Sequence, residues 1–210
     1  ILSQVEKLTT EGATFIDIGA YSSRPGADFV SEEEELRRLI PIINLVTASF
    51  PDSIISIDSF RSRVIKESIE AGAAIANDIS GGQLDPLMFK TVGALGIPYI
   101  MMHMRGTPQT MQQMTNYSNV VQEVYTYFSE RIQLANTHQI KDIILDLGFG
   151  FSKTREQNFD LLAAFDFYNH LNLPILAGVS RKSMIYKTLN TTADQALNGT
   201  SALHMVALQK

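Results

Sequence analysis

The sequence has 210 residues, of which 45% are hydrophobic and 19% are charged, so the chain can bury the core of one domain. Its net charge of −5 and the lack of a basic stripe interleaved with aromatic residues argue against a nucleic-acid partner. Because there is no cysteine and no apolar run of membrane-spanning length, thiol chemistry and a membrane span are excluded. We expect a soluble, cytoplasmic protein that binds a small molecule.

Apolar strand patterns alternate with amphipathic helix patterns from one end of the chain to the other. The predicted strands are 13–19, 53–58, 73–78, 97–102, 142–147 and 175–178. The predicted helices are 3–11, 31–46, 60–71, 85–95, 120–137, 159–171, 184–189 and 193–209, the last of them capped by residues 192–195.

These strands are apolar throughout, and a helix follows each of them. This pattern predicts a parallel sheet covered on both faces, because right-handed crossovers place the helices outside. A (β/α) barrel and an open doubly wound sheet both satisfy the pattern. No glycine-rich dinucleotide fingerprint follows the first strand, which weakens the second option.

Polar residues cluster where the predicted strands end, and in a barrel these ends converge on one mouth. The positions are Asp17, Asp58, Asn77, Asp78, His103, Arg105, Asp146, Ser180, Arg181 and Lys182. Ordinary explanations exist for each. A strand-end aspartate such as Asp58 can cap the next helix, and Asn77 and Asp78 can shape a turn. His103, which has no partner at metal-ligand spacing, can be a packed or a loop histidine.

A polar ligand explains the same residues together. Residues 174–183 run from an apolar strand into Ser-Arg-Lys-Ser and a helix, and such a junction would hold an anion unless it is only a capped helix with solvated basic residues. Asp58, Asn77 and Asp146 offer the acceptors and the amide donor that complement an aminopyrimidinone edge. Lys182 can donate to the carbonyl of the same ring.

Six segments, in their order and spacing, resemble the dihydropteroate synthase family. They are TFIDIGAYSSRPGA (14–27), IDS (57–59), NDISG (77–81), MHM (102–104), DLGFGF (146–151) and SRKS (180–183). The resemblance covers essentially the whole chain and implies a (β/α)8 barrel, an α/β fold of which roughly six parallel strands are present here. It implies condensation of 6-hydroxymethyl-7,8-dihydropterin diphosphate with 4-aminobenzoate, with release of pyrophosphate, in folate biosynthesis, a step that sulfonamides inhibit.

The resemblance also implies which residues act, and it implies Mg2+ as a cofactor and a homodimer. The catalytic residues would be Lys182, Asp146 and Arg24. The residues contacting the pterin would be Asp58, Asn77, Met102, Asp146, Gly178 and Lys182. The residues contacting 4-aminobenzoate would be Ser23, Arg24, Pro25, Phe151, Lys182 and Ser183. The departures from the usual family residue, none of which removes a functional group, are Ser23, Ser59, Leu147 and Ser152.

The ends of the chain depart further from the family pattern. The family's Asn-x-Thr-Pro-Asp-Ser-Phe loop, which binds magnesium and diphosphate, and its Arg-Val-His segment have no counterpart in these 210 residues. We therefore expect residues 1–210 to be a single pterin-binding barrel domain, the internal portion of a longer chain. We expect this portion to carry no metal ligand and to be inactive on its own.

Two alternatives stay open. A pterin-binding methyltransferase domain of a corrinoid system shares the barrel and the pterin-facing Asp and Asn, but it is not expected to carry both Ser-Ser-Arg-Pro and Ser-Arg-Lys-Ser. The second alternative is a truncated module that binds pterin without catalysis. A pterin titration followed by a turnover assay separates such a binder from an enzyme.

Overall fold

The computed structural model describes residues 1–22 and 28–210, which divide into two compact units. The first unit comprises residues 1–101 and 134–143, and the second comprises residues 102–133 and 144–210. In the described part of the chain, the strands follow one another in the sheet in chain order: β1 (Phe15–Gly19), β2 (Ile54–Asp58), β3 (Ile75–Asp78), β4 (Tyr99–Met102), β5 (Ile143–Asp146) and β6 (Ile175–Leu176).

Helices alternate with these strands, as the sequence predicts. They are α1 (Leu2–Thr10), α2 (Glu32–Ser49), α3 (Ser62–Glu70), α4 (Met88–Leu95), α5 (Val120–Thr137), α6 (Arg155–Ala163), α7 (Ser183–Thr188) and α8 (Leu197–Leu208). Short 3₁₀ segments lie at Met111–Gln113 and Phe165–Leu171.

In the first unit, β1 pairs with β2, β2 with β3 and β3 with β4, all in parallel. Much of β2, β3 and β4 is apolar and covered, so side chains such as Ile55, Ile57 and Tyr99 are almost completely buried, whereas Phe15 at the start of β1 is exposed. This register places Asp58 opposite Gly19 on one side and opposite Asn77 on the other. The carboxyl-terminal ends of β1, β2 and β3 therefore lie at the same level of the sheet.

Helix α2 illustrates why the sequence forms these elements. Ser31 Oγ accepts a hydrogen bond from the backbone N–H of Glu34, and the glutamates at 32–35 lie at the positive end of the helix dipole. The helix buries one apolar stripe against the unit, formed by Leu39, Ile43 and Val46.

In the second unit, β5 pairs in parallel with β6, and Asp146 lies opposite Leu176. Strand β6 ends two residues earlier than predicted. The Val179 N–H donates to the Ala177 carbonyl at 2.9 Å, and this tight turn removes Gly178 from the strand ladder. Fully buried aromatic residues form much of the core of this unit, namely Phe128, Phe149 and Tyr168.

Two predicted helices differ most from the structure. The helix predicted at 159–171 is α6 followed by a 3₁₀ segment, and α6 begins early because Thr154 and Gln157 form a capping box. The cap predicted at residues 192–195 does not cap α8, which begins after Ala196. The Gln195 side chain instead accepts a hydrogen bond from Thr191 Oγ1 at 2.7 Å.

Candidate active site

The first unit places Gly19, Asp58 and Asn77 in one row across β1, β2 and β3. A methyl group on Gly19 would lie 3.1 Å from Cβ and 3.3 Å from Oδ2 of Asp58, so the glycine leaves the space that the carboxylate occupies. Asp58 does not cap α3, because the Ser62 N–H at the helix start donates to Asp85 instead. Among residues 1–22 and 28–210, none donates a hydrogen bond to the Asp58 carboxylate.

The electrostatic surroundings of Asp58 favour its neutral form. Burial raises the pKa of Asp58 to about 7, and the carboxylates of Asp17, Asp78 and Glu35 add to the rise. A carboxyl group with a pKa in this range can exchange a proton when a ligand arrives, which makes Asp58 a candidate functional residue.

Asn77 is oriented by a side chain of the first strand. Its Nδ2 donates to Asp17 Oδ1 at 3.2 Å, which links β3 to β1. Because an amide has two N–H groups and one oxygen, this bond leaves Asn77 able both to donate and to accept.

Asp78, the neighbour of Asn77, shapes a turn. It is fully buried, and its carboxylate accepts hydrogen bonds from Ser80, Gly82 and Tyr99 at 2.7–2.8 Å. Burial raises the pKa of Asp78, although these bonds act against the rise. The turn-shaping explanation is therefore correct for Asp78 but not for Asn77.

In the second unit, Asp146 and Lys182 approach the same glycine. A methyl group on Gly178 would lie 3.5 Å from Asp146 Oδ2 and 3.6 Å from Lys182 Nζ. The other oxygen, Asp146 Oδ1, accepts a hydrogen bond from the Gly148 N–H at 2.8 Å. A carboxylate and an ammonium group thus lie beside one partly buried stretch of backbone.

Lys182 precedes α7 and reaches the loop after β5. Its Nζ donates to the Phe149 carbonyl and lies 5.0 Å from the centre of the Phe151 ring. Burial lowers the pKa of Lys182, while the nearby Asp146 opposes this change. Among the other predicted site residues, Met102 is buried at the end of β4, and Ser183 is partly buried as the first residue of α7.

The two arginines at predicted strand ends are occupied by structural contacts. The Arg181 guanidinium donates to the Asp194 carbonyl at 2.7 Å, before the start of α8. The Arg105 guanidinium donates to Glu123 and to the Asn116 carbonyl and lies 3.8 Å from the centre of the Tyr117 ring. Neither contact involves a predicted ligand-binding residue.

Lys153 is the residue that sequence reasoning missed. Its side chain is buried, and its Nζ lies 2.9 Å from His103 Nδ1. His103 itself is buried against Tyr127, so the prediction of a packed histidine is confirmed. The one feature of the sequence that could have indicated a role for Lys153 is its position, two residues after the motif at 146–151. Sequence alone does not distinguish a buried lysine from the solvated lysines that are common in loops.

Comparison with known proteins bears on the whole chain. Residues 1–210 match the family model described as pterin binding enzyme. The dihydropteroate synthase of Haemophilus influenzae is 42% identical over 211 residues, a match that covers 100% of this chain and 76% of that protein. The chain belongs to the dihydropteroate synthase family of pterin-binding enzymes.

Solved structures of dihydropteroate synthases agree with this assignment. The Yersinia pestis dihydropteroate synthase, in complex with a sulfonamide drug, matches with a TM-score of 0.93 at 37% identity, over 99% of this chain and 75% of that one. The Xanthomonas albilineans dihydropteroate synthase with 4-aminobenzoic acid matches with a TM-score of 0.92 at 36% identity, over 99% of this chain and 74% of that one.

Membership of the dihydropteroate synthase family confirms three predictions. The fold class is that of the (β/α)8 barrel enzymes, with parallel strands that alternate with helices. The chain is a transferase, and its function is that of a dihydropteroate synthase. The corrinoid methyltransferase is therefore not favoured, whereas the inactivity expected of residues 1–210 on their own stays a prediction.

Some predicted features of the dihydropteroate synthase site lie beyond the structure. Ser23, Arg24 and Pro25 fall outside the described residues. Within residues 1–22 and 28–210, no group of three histidine, aspartate or glutamate side chains could hold a metal ion.

Over the same residues, no helix combines the length and the apolar character that crossing a membrane requires.

Proposed function

We propose that the residues that recognise the pterin substrate are Asp58, Asn77, Met102, Asp146, Gly178 and Lys182. The observation that carries the proposal is the approach of Asp146 Oδ2 and Lys182 Nζ to Gly178. A carboxylate acceptor and an ammonium donor at a glycine suit the amino, N–H and carbonyl groups of a pterin edge. A glycine there lets a flat ring approach the backbone.

The reaction transfers a pterin methylene group. The bond between this carbon and the diphosphate oxygen breaks, pyrophosphate leaves with the electron pair, and the pterin ring supplies electron density to the carbon. The amino nitrogen of 4-aminobenzoate then bonds to the carbon and loses a proton. No covalent intermediate with the protein is needed, so the protein contributes orientation and charge stabilisation.

In this proposal the catalytic residues are Lys182, Asp146 and Arg24. Lys182 has three N–H donors, so it can keep its bond to Phe149 and also donate to the pterin carbonyl. Asp146 Oδ1 accepts a hydrogen bond from the Gly148 N–H, and Asp146 Oδ2 lies beside Gly178, where it can accept from the ring. Arg24, outside the described residues, is assigned from the family resemblance.

We also propose that 4-aminobenzoate contacts Phe151, Lys182 and Ser183, together with Ser23, Arg24 and Pro25. The support is local. The Phe151 ring lies 5.0 Å from Lys182 Nζ and offers an aromatic face, and Ser183 offers a hydroxyl donor for the carboxylate. Sulfonamides would compete with 4-aminobenzoate for these residues.

Mg2+, a homodimer, a cytoplasmic location and a single domain over residues 1–210 complete the proposal. Mg2+ would neutralise diphosphate charge, but the described residues offer no ligand set that fits it, so no step is assigned to it. Light scattering on the purified protein tests the dimer. A single cooperative unfolding transition is expected of one domain.

The test uses the intact protein with both substrates and Mg2+. Calorimetry measures the affinity for a non-reactive pterin analogue, and pyrophosphate release measures turnover. Lys182→Met and Asp146→Asn should each lower kcat/KM by about 10²-fold or more while the protein stays folded. Lys187→Met, on the exposed side of α7, is the matched control and should leave both measurements unchanged. Turnover by folded Lys182→Met equal to that of the control would refute the assignment.

A further inference from the structure

Lys153 forms an unusual buried cluster in the loop between β5 and α6. Its Nζ lies 2.9 Å from His103 Nδ1, 3.0 Å from the Phe151 carbonyl, 3.1 Å from the Gly148 carbonyl and 3.4 Å from the His103 carbonyl. Among the described residues, no carboxylate oxygen makes a hydrogen bond to it. A buried ammonium group that makes no hydrogen bond to a carboxylate is costly, so these contacts with carbonyl groups help to offset its desolvation.

The two loop carbonyls that Lys153 contacts lie on either side of Phe149. Phe149 is the residue whose carbonyl accepts a hydrogen bond from Lys182. The second carbonyl belongs to Phe151, whose ring faces Lys182 Nζ at 5.0 Å. Lys153 therefore contacts the backbone immediately next to both groups that surround the Lys182 ammonium.

The loop at 148–152 has an unusual backbone conformation and packs closely against the end of β4. Gly148, Gly150 and Ser152 have φ values of 68°, 84° and 47°. Residues other than glycine rarely adopt this left-handed region. A methyl group on Gly148 would meet the His103 carbonyl oxygen at 2.0 Å, so the loop lies directly against the end of β4. The Ser152 hydroxyl strengthens the same junction by accepting the Arg105 N–H at 2.9 Å.

We propose that Lys153 is a positioning residue of the synthase reaction, which fixes the loop at 148–152 through its carbonyls and thereby sets the place of Lys182 Nζ beside Phe149 and Phe151. Lys153 has no contact with substrate in this proposal. The inference rests on the proposed function of Lys182 and Phe151.

Lys153 can hold the loop at 148–152 whether its amino group is charged or neutral. Burial lowers the pKa of Lys153 to about 7, with smaller contributions from Lys182 and Arg105, while Asp146 opposes the change. Burial also lowers the pKa of His103 well below its usual value. An ammonium group donates to His103 Nδ1 and to two carbonyls, whereas a neutral amine keeps two donors and can accept from the other histidine tautomer.

A double-mutant cycle tests the inference in the intact protein. The variants are Lys153→Met, Lys182→Met and the double variant, and the readout is the dissociation constant for a non-reactive pterin analogue at a temperature where circular dichroism shows each to be folded. Lys153→Met should weaken binding about tenfold in the wild-type background and less than twofold in the Lys182→Met background, because its effect passes through Lys182. Equal effects in both backgrounds, or no effect in the wild type, overturn the inference.

Chemical rescue distinguishes positioning from a merely structural role. Residues 1–210 contain no cysteine, so Lys153→Cys supplies the one thiol of this stretch, which can be alkylated while the protein is unfolded and then refolded. Alkylation with 2-bromoethylamine restores an amine of lysine length, and alkylation with 1-bromopropane gives a matched side chain without donors. Only the amine should restore pterin affinity, and equal affinities contradict the proposal. If Lys153→Met does not fold, this alkylated pair replaces it in the cycle. If Lys182→Met alone keeps wild-type affinity, the proposed function fails instead.

Discussion

Asp146 Oδ2 and Lys182 Nζ lie at almost equal distances, 3.5 and 3.6 Å, from the point where a methyl group on Gly178 would stand. Both distances are ordinary van der Waals contacts, so Gly178→Ala should fold without strain. The methyl group would nevertheless fill the surface on which we place the pterin ring. We expect at least about tenfold weaker binding of a pterin analogue, equivalent to about 1.4 kcal/mol, with an unchanged melting temperature. Calorimetry and thermal unfolding of the purified variant check this, and unaltered affinity would remove Gly178 from the site.

Asp58 should make stability depend on pH in the acidic range. Its pKa is about 7 in the folded protein and about 3.8 when unfolded, so between these values the folded state binds more protons. The free energy of unfolding contributed by Asp58 must therefore fall as pH rises from about 4 to about 7. Asp58→Asn has no carboxyl group that titrates at this position, so its free energy of unfolding should fall less than that of the wild type between pH 5 and pH 8.

Urea unfolding at the two pH values measures the Asp58 effect, which should be at least about 1 kcal/mol. The exposed Asp52→Asn serves as control and should follow the wild type. The same Asp58→Asn variant should bind the pterin analogue more weakly, because an amide cannot replace a carboxylate that accepts two N–H groups. A variant with wild-type pH dependence and wild-type affinity would contradict both roles.

Much of the candidate site could be predicted because the ends of the strands can be recognised in the sequence. An apolar run that stops at Asp58 or Asp146 marks both the strand and the polar residue beyond it, and these residues end β2 and β5 in the structure. The motif resemblance then distinguished Asn77 from Asp78, which have similar polarity and adjacent positions. Only the structure revealed that the Asp78 carboxylate accepts hydrogen bonds from its own turn and from Tyr99 of β4.

Features that depend on tertiary burial could not be predicted. Lys153 is a charged residue in a loop, a kind of residue that is usually exposed, and it is buried here because the loop packs against His103. Strand β6 is short because of a turn at Ala177, which an apolar run does not signal. The start of α8 was misplaced because Gln195 bonds to Thr191, a competition between side chains that a capping rule ignores.

Lys153 should make stability rise with pH in the alkaline range. Its pKa is about 7 in the folded protein and about 10.5 when unfolded, so between these values the unfolded state binds more protons. The free energy of unfolding must then increase with pH across this window as far as Lys153 is concerned. The charged or titratable groups around it are His103, Asp146, Lys182 and Arg105. Lys153→Met should show a smaller increase between pH 7 and pH 9.5 in urea unfolding, and an increase as large as in the wild type would show that Lys153 stays protonated.

Arg61 and Glu35 form a buried ion pair whose loss should be costly. Arg61 Nη1 donates to Glu35 Oε2 at 2.5 Å, and the guanidinium carbon lies 5.3 Å from the ring centre of both Tyr21 and Phe60. Arg61→Met would leave the Glu35 carboxylate buried without its partner, and we expect a loss of about 3–5 kcal/mol at pH 8. Burial already raises the pKa of Glu35, so the carboxyl group of the variant should take up a proton at pH 5 and the loss of stability there should be smaller.

Arg63→Met is the control for Arg61→Met. It removes ion pairs that are largely exposed and should cost far less stability at both pH values. Urea unfolding of the two variants decides the matter, because equal losses would mean that the buried pair contributes no more than the exposed ones.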